Sequence, residues 1–386
     1  MYLVIAVKFD VLIIGGGPAG STLAWALRNS GIDIAVMDKE DFPRHKICAG
    51  WVTPAVMQEL NIDLDDYAHG RVLQPISGFR ISQIGQKQVQ SHYSGDPVSY
   101  GIRRIEFDNY LLQRSESKLL TGMAFKHMER IDNGWRVNDE LDAKLVIGAG
   151  GHFCPVARAI GSKGVSELAV TAQEVEFEMT PEQVDVCPID AEVPELFFTP
   201  DLKGYGWIFR KGNFLNIGLG REDKHKLSSH VQDFIRYLKQ QNKIPQDLPD
   251  KFNGHAYLLY PHAIRDIVSD NVLLIGDAAG LAYPQSGEGI RPAVESALLA
   301  ARVIKQCHGD YAAVQLQAYH ELIEQRFGKR EPGPDLLERL PLGIKQLFAS
   351  ELMKTRWFTQ KIMTERWFLQ SQQEPSIQGL ANPHIA

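Results

Sequence analysis

Residues 10–20 read Asp10-Val-Leu-Ile-Ile-Gly-Gly-Gly-Pro-Ala-Gly20, an apolar run that ends in a glycine-rich turn. Phe9 to Ile14 has the length and composition of a buried strand, and Pro18 begins a helical pattern with proline in its first turn. Three glycines have the G-x-G-x-x-G spacing that lets a backbone approach a pyrophosphate, namely Gly15, Gly17 and Gly20. The stretch therefore predicts a strand–turn–helix unit that binds a dinucleotide.

Two further features indicate which dinucleotide is bound. A second predicted strand, Ile32 to Met37, ends at Asp38, where an acid accepts hydrogen bonds from the adenosine ribose. A second glycine-rich segment, residues 272–289, reads Val-Leu-Leu-Ile-Gly-Asp-Ala-Ala-Gly-Leu-Ala-Tyr-Pro-Gln-Ser-Gly-Glu-Gly and again follows an apolar strand. Two such segments fit an elongated cofactor whose flavin ribitol lies at the second one. The sequence therefore predicts FAD.

Composition excludes several classes of protein. The chain of 386 residues has 44% hydrophobic residues, enough for a large core, and its net charge of −6 argues against nucleic-acid binding. Its four cysteines are far apart and form no C-x-x-C pair, which predicts free thiols in a reducing compartment and no metal site. The longest uncharged stretch, Val11 to Leu27, contains the glycine turn and cannot span a membrane. We expect a cytoplasmic protein, with peripheral membrane contact left open.

The pattern of strands and helices predicts a discontinuous organisation. Residues 1–68, 101–168 and 262–312 are predicted to form the FAD-binding domain. The strand-rich segments 69–100 and 169–261 are predicted to form a substrate domain, a single antiparallel sheet that includes a strand from Ser99 to Arg103. Residues 313–386 predict a helical C-terminal region. The expected fold class is α/β: a Rossmann-type FAD-binding domain with an inserted antiparallel β-sheet substrate domain and a helical C-terminal end.

Six motifs, in this order, resemble those of the geranylgeranyl reductase family, FAD enzymes with the p-hydroxybenzoate-hydroxylase fold. The resemblance covers roughly residues 9–300. The motifs are the first glycine turn, Pro43-Arg-His-Lys-Ile-Cys-Ala-Gly50, Arg104 with Phe107-Asp108, Val146-Ile-Gly-Ala-Gly-Gly151, Tyr205-Gly-Trp-Ile-Phe209 and Gly276-Asp-Ala-Ala279.

The resemblance implies which residues contact the cofactor. Arg44 and Arg104 would lie along its phosphate and ribose edge, and Asp277 would hydrogen-bond a ribityl hydroxyl unless it only caps a helix. Backbone N–H groups at Gly289 and Ile290 would face the flavin N1/O2 region, where they stabilise the charge of reduced flavin. The complete predicted set is Gly15, Gly17, Pro18, Ala19, Gly20, Asp38, Lys39, Arg44, Cys48, Ala49, Gly50, Arg104, Ala149, Gly150, Gly276, Asp277, Pro284, Gly287, Gly289 and Ile290.

The chain departs from the family pattern at two positions that concern the electron donor and the cavity mouth. Gly150 stands where the family commonly has an aspartate tied to nicotinamide access, so the donor is left open between NADPH, NADH and a small electron-carrier protein. Arg210 stands where the aromatic motif usually ends in proline, and we expect its charge near the mouth of the substrate cavity or on its rim.

Candidate substrate and catalytic residues come from the same motifs. Tyr205, Trp207 and Phe209 alternate along one strand and share a face, which the resemblance implies lines an apolar substrate tunnel; otherwise they are ordinary core aromatics. The thiol of Cys48 would protonate a substrate carbon or tune the flavin, or would simply fill space in the core. Residues 342–369 alternate aromatic and basic positions, typical either of a lid that meets a membrane or of helices packed over the substrate domain.

The resulting prediction is an FAD-dependent oxidoreductase in which reduced flavin gives a hydride to a carbon–carbon double bond of an apolar, isoprenoid-like or lipid-like substrate. One alternative is a monooxygenase or halogenase that uses a flavin C4a-hydroperoxide. An alternative of another class is a flavin electron-transfer or sensor protein without substrate turnover. A long apolar cavity beside the flavin site would favour the first prediction.

Overall fold

The computed structural model describes residues 6–162, 169–222, 226–260, 262–330 and 342–373. Its strands are β1 (Val7–Ile14), β2 (Ile34–Met37), β3 (Trp51–Val52), β4 (Leu73–Ile76), β5 (Gly78–Gln83), β6 (Val89–His92), β7 (Ser99–Ile102), β8 (Lys118–Leu120), β9 (Met128–Ile131), β10 (Gly134–Val137), β11 (Leu141–Gly148), β12 (Ala169–Glu178), β13 (Glu195–Phe198), β14 (Gly204–Lys211), β15 (Phe214–Arg221), β16 (Asn253–Leu258), β17 (Val268–Ser269) and β18 (Val272–Leu274). Its α-helices are α1 (Pro18–Leu27), α2 (Pro54–Glu59), α3 (Leu64–Ala68), α4 (Arg104–Arg114), α5 (Pro155–Ala159), α6 (Pro181–Val186), α7 (Leu227–Gln240), α8 (Ile290–Gln306), α9 (Ala313–Phe327) and α10 (Leu342–Met353). A 3₁₀ helix covers Gly276–Ala278 and a π-helical segment covers Phe358–Phe368.

The first sheet is the parallel sheet of a dinucleotide-binding domain. Its main strand order is β17-β18-β11-β1-β2-β8. From β18 to β8, each strand runs parallel to the next one in this order. The central strands are buried on both faces, which is why β1 and β2 are almost continuously apolar. Helix α1 packs on α8, and α8 packs on α9. Because β1 and β11 are parallel neighbours, their carboxyl ends lie at the same edge of the sheet.

The second sheet, here called the substrate sheet, has the order β16-β12-β15-β14-β13-β5-β6. Helix α7 covers one face through Val231, Phe234 and Leu238, which pack in the same core as Ile208 and Ile217. The amphipathic spacing of residues 228–241 predicts a helix in the substrate domain, and α7 confirms it. The other face carries aromatic residues and turns toward the first sheet.

The predicted fold class is confirmed, with two differences in the substrate sheet. Strands β5 and β13 pair in parallel, although every other pair in this sheet is antiparallel among the described residues. The prediction that Ser99 to Arg103 belongs to this sheet is wrong, because β7 lies in a separate three-stranded sheet of order β3-β7-β4. Short strands with similar patterns join either sheet, and only tertiary packing decides between them. The domain boundaries remain predictions.

The C-terminal region lies over the aromatic face of the substrate sheet. Met353, Met363 and Phe368 pack with Trp51 and Phe209 in one core. Of the two alternatives for residues 342–369, packing over the substrate domain is therefore observed. The residues after Glu374, which by their composition have little to bury, lie outside the described residues. Among the residues that are described, we find no helix with the length and apolar character needed to cross a membrane.

Candidate active site

A cavity of about 1040 Å³ lies between the two main sheets. Ile14 and Ala149 line it at the carboxyl ends of the first sheet, and Ala172, Leu196 and Trp207 line it from the substrate sheet. The carboxyl edge of a parallel sheet is where ligands bind in folds of this type. The volume is at the upper end of the range for small-molecule and cofactor sites.

The first glycine turn forms the floor of the cavity. Gly15 has φ +118°, and a Cβ there would overlap the Ala149 carbonyl oxygen, so only glycine fits. A Cβ at Gly20 would overlap the Gly15 carbonyl oxygen, because helix α1 packs directly on the turn. At Gly17, by contrast, only Arg44 Nη2 would come within reach, at 3.4 Å. Open space beside the unpaired N–H groups of a helix start fits a pyrophosphate, and thus the predicted FAD.

Asp38 lies at the end of β2 beside this turn. Its Oδ2 accepts a hydrogen bond from the Gly16 N–H at 2.7 Å, and its Oδ1 accepts one from the Glu40 N–H at 3.0 Å. Asp38 and Lys39 both line the cavity. A carboxylate fixed in this way still has free lone pairs for ribose hydroxyls.

Two arginines share one buried acid on the next part of the wall. Arg104 donates to Asp108 through Nε at 2.7 Å and Nη2 at 2.8 Å, and Arg44 Nη1 lies 3.3 Å from the same carboxylate. Burial lowers the pKa of Arg104, but the charges of Asp108 and Cys48 outweigh it and raise that pKa overall. Two guanidinium groups against one carboxylate leave a net positive charge, which suits the phosphates of a dinucleotide.

Lys46 and His255 complete this basic wall and were not selected from the sequence. Lys46 Nζ lies 3.0 Å from His255 Nδ1, and His255 Nε2 lies 3.9 Å from Asp277 Oδ2. Burial and the charge of Arg104 lower the pKa of Lys46 to about 8. Burial and the charge of Lys46 lower the pKa of His255 well below its usual value, so the imidazole is neutral. The sequence pointed to Lys46 only as a cationic neighbour of Cys48, within the motif that begins at Pro43.

The second glycine segment faces the first across the cavity. Asp277 lies inside the 3₁₀ helix, whose N-cap is Ile275, so the helix-cap alternative does not describe it. Burial raises the pKa of Asp277, against the lowering effects of Lys46 and Arg104. A Cβ at Gly289 would lie 2.9 Å from Asp277 Oδ1, which shows how closely the start of α8 approaches the carboxylate. Gly287, Gly289 and Ile290 line the cavity.

The opposite wall is aromatic. Tyr205, Trp207 and Phe209 of β14 all line the cavity, and the Trp51 ring meets that of Phe209 edge-on at 5.3 Å between centroids. Trp207 Nε1 donates to Asn216 Oδ1 at 2.7 Å, and the Tyr205 hydroxyl donates to the Ser286 carbonyl oxygen at 2.5 Å. Because the polar atoms are satisfied by protein, the ring faces remain available for an apolar ligand.

Cys48 lies where the two walls meet, and Glu174 lies beside it. The Cys48 N–H donates to Glu174 Oε1 at 2.5 Å, and the Gly50 N–H lies 3.4 Å from Cys48 Sγ. Burial raises the pKa of Glu174 to about 7, and among the described residues its Oε2 has no partner with hydrogen-bond geometry. Sequence reasoning missed Glu174, because nothing in β12 distinguishes it from an ordinary strand residue.

Most predicted site residues line the cavity, but a few do not. Arg210 alternates with the aromatic residues, its Nε donates to the Gly212 carbonyl oxygen at 3.1 Å, and it does not line the cavity. Gly50 and Gly276 have positive φ and pack against Ile102 and Ala19 respectively. The roles assigned to the site residues remain predictions. The predicted cofactor residues outside the lining are Gly20, Gly50, Gly276 and Pro284.

The fold is that of FAD-dependent reductases and monooxygenases. The family described as NAD(P)-binding Rossmann-like domain matches residues 13–56. A solved structure described as geranylgeranyl bacteriochlorophyll reductase-like, from Thermoplasma acidophilum, superposes with a TM-score of 0.76 over 96% of this chain and 100% of its own. At 21% identity, that likeness establishes the fold.

Curated relatives are similar over most of their length. Digeranylgeranylglycerophospholipid reductase 2 of Methanosphaera stadtmanae is 26% identical over 340 residues, 84% of this chain and 85% of the relative. Geranylgeranyl diphosphate reductase of Rhodobacter capsulatus is 29% identical over 300 residues, 73% of this chain and 71% of the relative. The predicted resemblance to the geranylgeranyl reductase family is therefore confirmed.

Proposed function

We propose that this protein is an FAD-dependent oxidoreductase that reduces carbon–carbon double bonds of an isoprenoid-like, apolar substrate. The observation that carries the proposal is one cavity with two unlike walls. A glycine turn and basic side chains form one wall, and the rings of Tyr205, Trp207 and Phe209 form the other. The names of two relatives, digeranylgeranylglycerophospholipid reductase and geranylgeranyl diphosphate reductase, support this substrate class.

The residues of the first wall fit FAD. Gly17 and the start of α1 would bind the pyrophosphate, Asp38 the adenosine ribose, and Asp277 the ribityl hydroxyls. Arg44 and Arg104 would neutralise phosphate charge. When bound and reduced, FAD supplies a hydride with both electrons. The protein then has to hold the substrate against the flavin, exclude water and provide a proton.

The residues of the second wall fit an isoprenoid chain. The ring centroids of Tyr205 and Trp207 lie 6.1 Å apart. The ring of Phe368, in the C-terminal region that lies over the substrate sheet, has its centroid 5.6 Å from that of Tyr205. Aromatic rings with satisfied polar ends offer apolar area with little conformational freedom to lose. A chain of trisubstituted double bonds would lie along these rings with one bond presented to the flavin.

The reaction is tested under anaerobic conditions with protein loaded with FAD and reduced by dithionite. The probes are geranylgeranyl diphosphate and digeranylgeranylglycerophospholipid in vesicles. We expect reoxidation of the flavin together with a gain of two hydrogens per reduced double bond, read by mass spectrometry. Oxygen insertion into the probe on admission of air would favour the monooxygenase. Reoxidation by electron carriers alone, with no change in either probe, would favour an electron-transfer protein.

We propose that a small electron-carrier protein, more readily than NADPH or NADH, reduces the bound flavin. Gly150 lines the cavity, and a Cβ there would lie 3.1 Å from Pro155 Cδ, so the turn leaves no room for a carboxylate without a shift of its neighbours. We expect stopped-flow reduction by NADPH to be slow relative to dithionite or a reduced ferredoxin. Fast, saturable bleaching by micromolar NADPH would contradict the proposal.

We also propose that the outer side of the C-terminal region, residues 342–373, contacts a membrane surface. Phe348, Leu352 and Trp357 are 65%, 39% and 65% exposed, and Lys354 and Arg356 are exposed beside them. Exposed apolar residues next to basic ones fit an anionic lipid surface. Co-sedimentation with phosphatidylglycerol vesicles should fall in the Phe348→Ser, Trp357→Ser variant. It should not fall in Val186→Ser, which removes an equally exposed apolar residue from α6.

A further inference from the structure

Double-bond reduction needs a proton as well as a hydride, and the cavity holds one side chain suited to give it. Glu174 lies near the middle of β12 and is 5% exposed. It shares a strand face with Ala172, which also lines the cavity. A Cβ at Gly218 of the neighbouring strand would contact both the Trp207 ring and Glu174 Cβ. The carboxyl group thus lies directly beside the aromatic wall.

The hydrogen bonds of Glu174 define where its proton is. Oε1 accepts the Cys48 N–H at 2.5 Å, so it acts as the carbonyl oxygen of the acid. Oε2 has no partner with hydrogen-bond geometry in the part of the chain that the structure describes, and the nearby Asn216 side chain makes only the smallest of the contributions that lower the pKa. A buried carboxylate with an unpartnered oxygen is costly, whereas the neutral acid has an O–H on that atom. Burial accordingly raises the pKa of Glu174 to about 7, close to the optimum for an acid that works at neutral pH.

The neighbouring acid on the same strand face is ionised. Glu176 accepts from Lys211 Nζ at 2.6 Å, from Arg103 Nε at 3.3 Å and from Asn216 Nδ2 at 3.3 Å. Despite its burial, these cations lower the pKa of Glu176. The charged groups that act on Glu174 are therefore Lys211, which favours its ionised form, and Glu176, which favours its neutral form.

Other groups in the cavity are less suited. The Tyr205 hydroxyl already donates to Ser286, and burial raises its pKa well above the usual value. Cys48 Sγ already accepts a hydrogen bond from the Gly50 N–H at 3.4 Å and interacts with the Arg104 guanidinium. Glu288 is also buried, and burial raises its pKa to about 8. It lies in the second glycine segment, on the wall that fits FAD, and not beside the aromatic rings that fit the substrate.

We propose that Glu174 is the acid that protonates the substrate carbon, an inference that rests on the proposed function. The O–H bond at Oε2 breaks, and the π electron pair of the substrate forms the new C–H bond with that proton. The other carbon of the double bond receives the hydride and its electron pair from reduced FAD. Glu174 is left as a carboxylate that keeps the Cys48 hydrogen bond, and a proton from water restores the acid.

Three variants test the assignment. Glu174→Gln keeps the shape but has no acidic proton, Glu174→Asp keeps the acid at a shorter reach, and Glu178→Gln removes an exposed carboxyl from the end of the same strand. Each is loaded with FAD, and binding of geranylgeranyl diphosphate is followed by the shift in flavin absorption. Anaerobic single-turnover reoxidation then isolates the chemical step from binding.

We expect Glu174→Gln to bind the probe within about threefold of wild type, yet to reoxidise about 100-fold or more slowly. Glu174→Asp should recover part of the rate, and Glu178→Gln all of it. The wild-type rate should fall as pH rises through 7, and this fall should vanish in Glu174→Gln. Independently of turnover, the infrared carbonyl band of a protonated carboxyl group should be weaker in Glu174→Gln than in wild type near pH 6.

The outcomes separate this inference from the proposed function. If wild type reduces the probe and Glu174→Gln does so within about threefold of its rate, the inference is overturned and the function stands. Persistence of the pH-dependent fall in Glu174→Gln, or a 100-fold loss in Glu288→Gln with Glu174→Gln unaffected, overturns it as well. If wild type reduces neither isoprenoid probe, the proposed function fails and the inference fails with it.

Discussion

The two walls of the cavity are built on opposite principles. The cofactor wall consists largely of backbone, in which glycines such as Gly15 and Gly17 leave room for a ligand. The substrate wall consists of side chains, with Trp207 and Glu174 filling the space that Gly218 leaves. Damage to the first wall should therefore come from adding atoms, and damage to the second from removing them. Each of the following experiments tests that difference.

The largest effect is expected when atoms are added to the cofactor wall. Gly17→Val would fill the space in front of α1 and remove at least two hydrogen bonds to a charged phosphate, about 4 kcal/mol, or roughly 1000-fold in FAD affinity. Gly17 has φ −73°, which valine tolerates, so unfolding of the apoprotein should change by less than about 1 kcal/mol. Equilibrium dialysis against FAD and thermal unfolding measure the two quantities.

Gly20→Ala is the contrasting variant, because its new methyl meets the Gly15 carbonyl oxygen within the turn and no ligand space, so any loss of FAD affinity should accompany a loss of apoprotein stability. It should destabilise the apoprotein by about 2 kcal/mol. Full FAD occupancy in Gly17→Val would show that this turn does not bind the pyrophosphate.

The next effect concerns the titrating acid of the substrate wall. The pKa of Glu174 is about 7 in the folded protein and 4.5 as the reference value, so the native state binds more protons between these values. Its contribution to stability is complete below pH 4.5 and is lost as pH rises through 7, a loss of roughly 3 kcal/mol. The difference in unfolding free energy between wild type and Glu174→Gln should thus fall between pH 4 and 8. An unchanged difference would mean that Glu174 is not buried as described.

Removal of atoms from the substrate wall should impair turnover while the flavin is retained. Trp207→Ala takes away a ring that is 6% exposed, and we expect a fall of about 2 kcal/mol in transition-state binding, roughly 30-fold in kcat/KM. The flavin absorption spectrum and FAD affinity should stay near wild type. Trp207→Phe, which keeps an aromatic face, should recover most of the rate. Loss of folded protein with an unchanged rate per folded molecule would make Trp207 an ordinary core residue.

The smallest effect concerns a hydrogen bond that joins β14 to the second glycine segment. Tyr205→Phe removes the donor to the Ser286 carbonyl oxygen and should cost about 1 kcal/mol, seen as a severalfold loss of FAD affinity or an equal loss of stability. Unchanged values of both quantities would show that the walls are not coupled at this point.

The same contrast explains what the sequence could predict. Strand β1, helix α1 and Asp38 follow one another within 32 residues, and local periodicity with glycine spacing specifies them. The partners on the other side are distant: Cys48 meets Glu174 at a separation of 126 residues, and Lys46 meets His255 at 209. No local pattern encodes such pairs. Two features of the sheets were not predicted for the same reason. Strand β7 belongs to the three-stranded sheet, and β5 pairs in parallel with β13.

The parallel pairing of β5 and β13 has a consequence for synthesis of the chain. Strand β5 ends at Gln83, and its partner begins at Glu195, 112 residues later. At about 5–20 residues per second, a ribosome needs roughly 6–22 s to make the intervening segment. During that interval one edge of the hairpin formed by β5 and β6 has no partner strand. Phe79 and Ile81, which are buried in the folded protein, are then exposed on one face of the hairpin. The nascent chain should therefore bind a chaperone at this hairpin until β13 emerges.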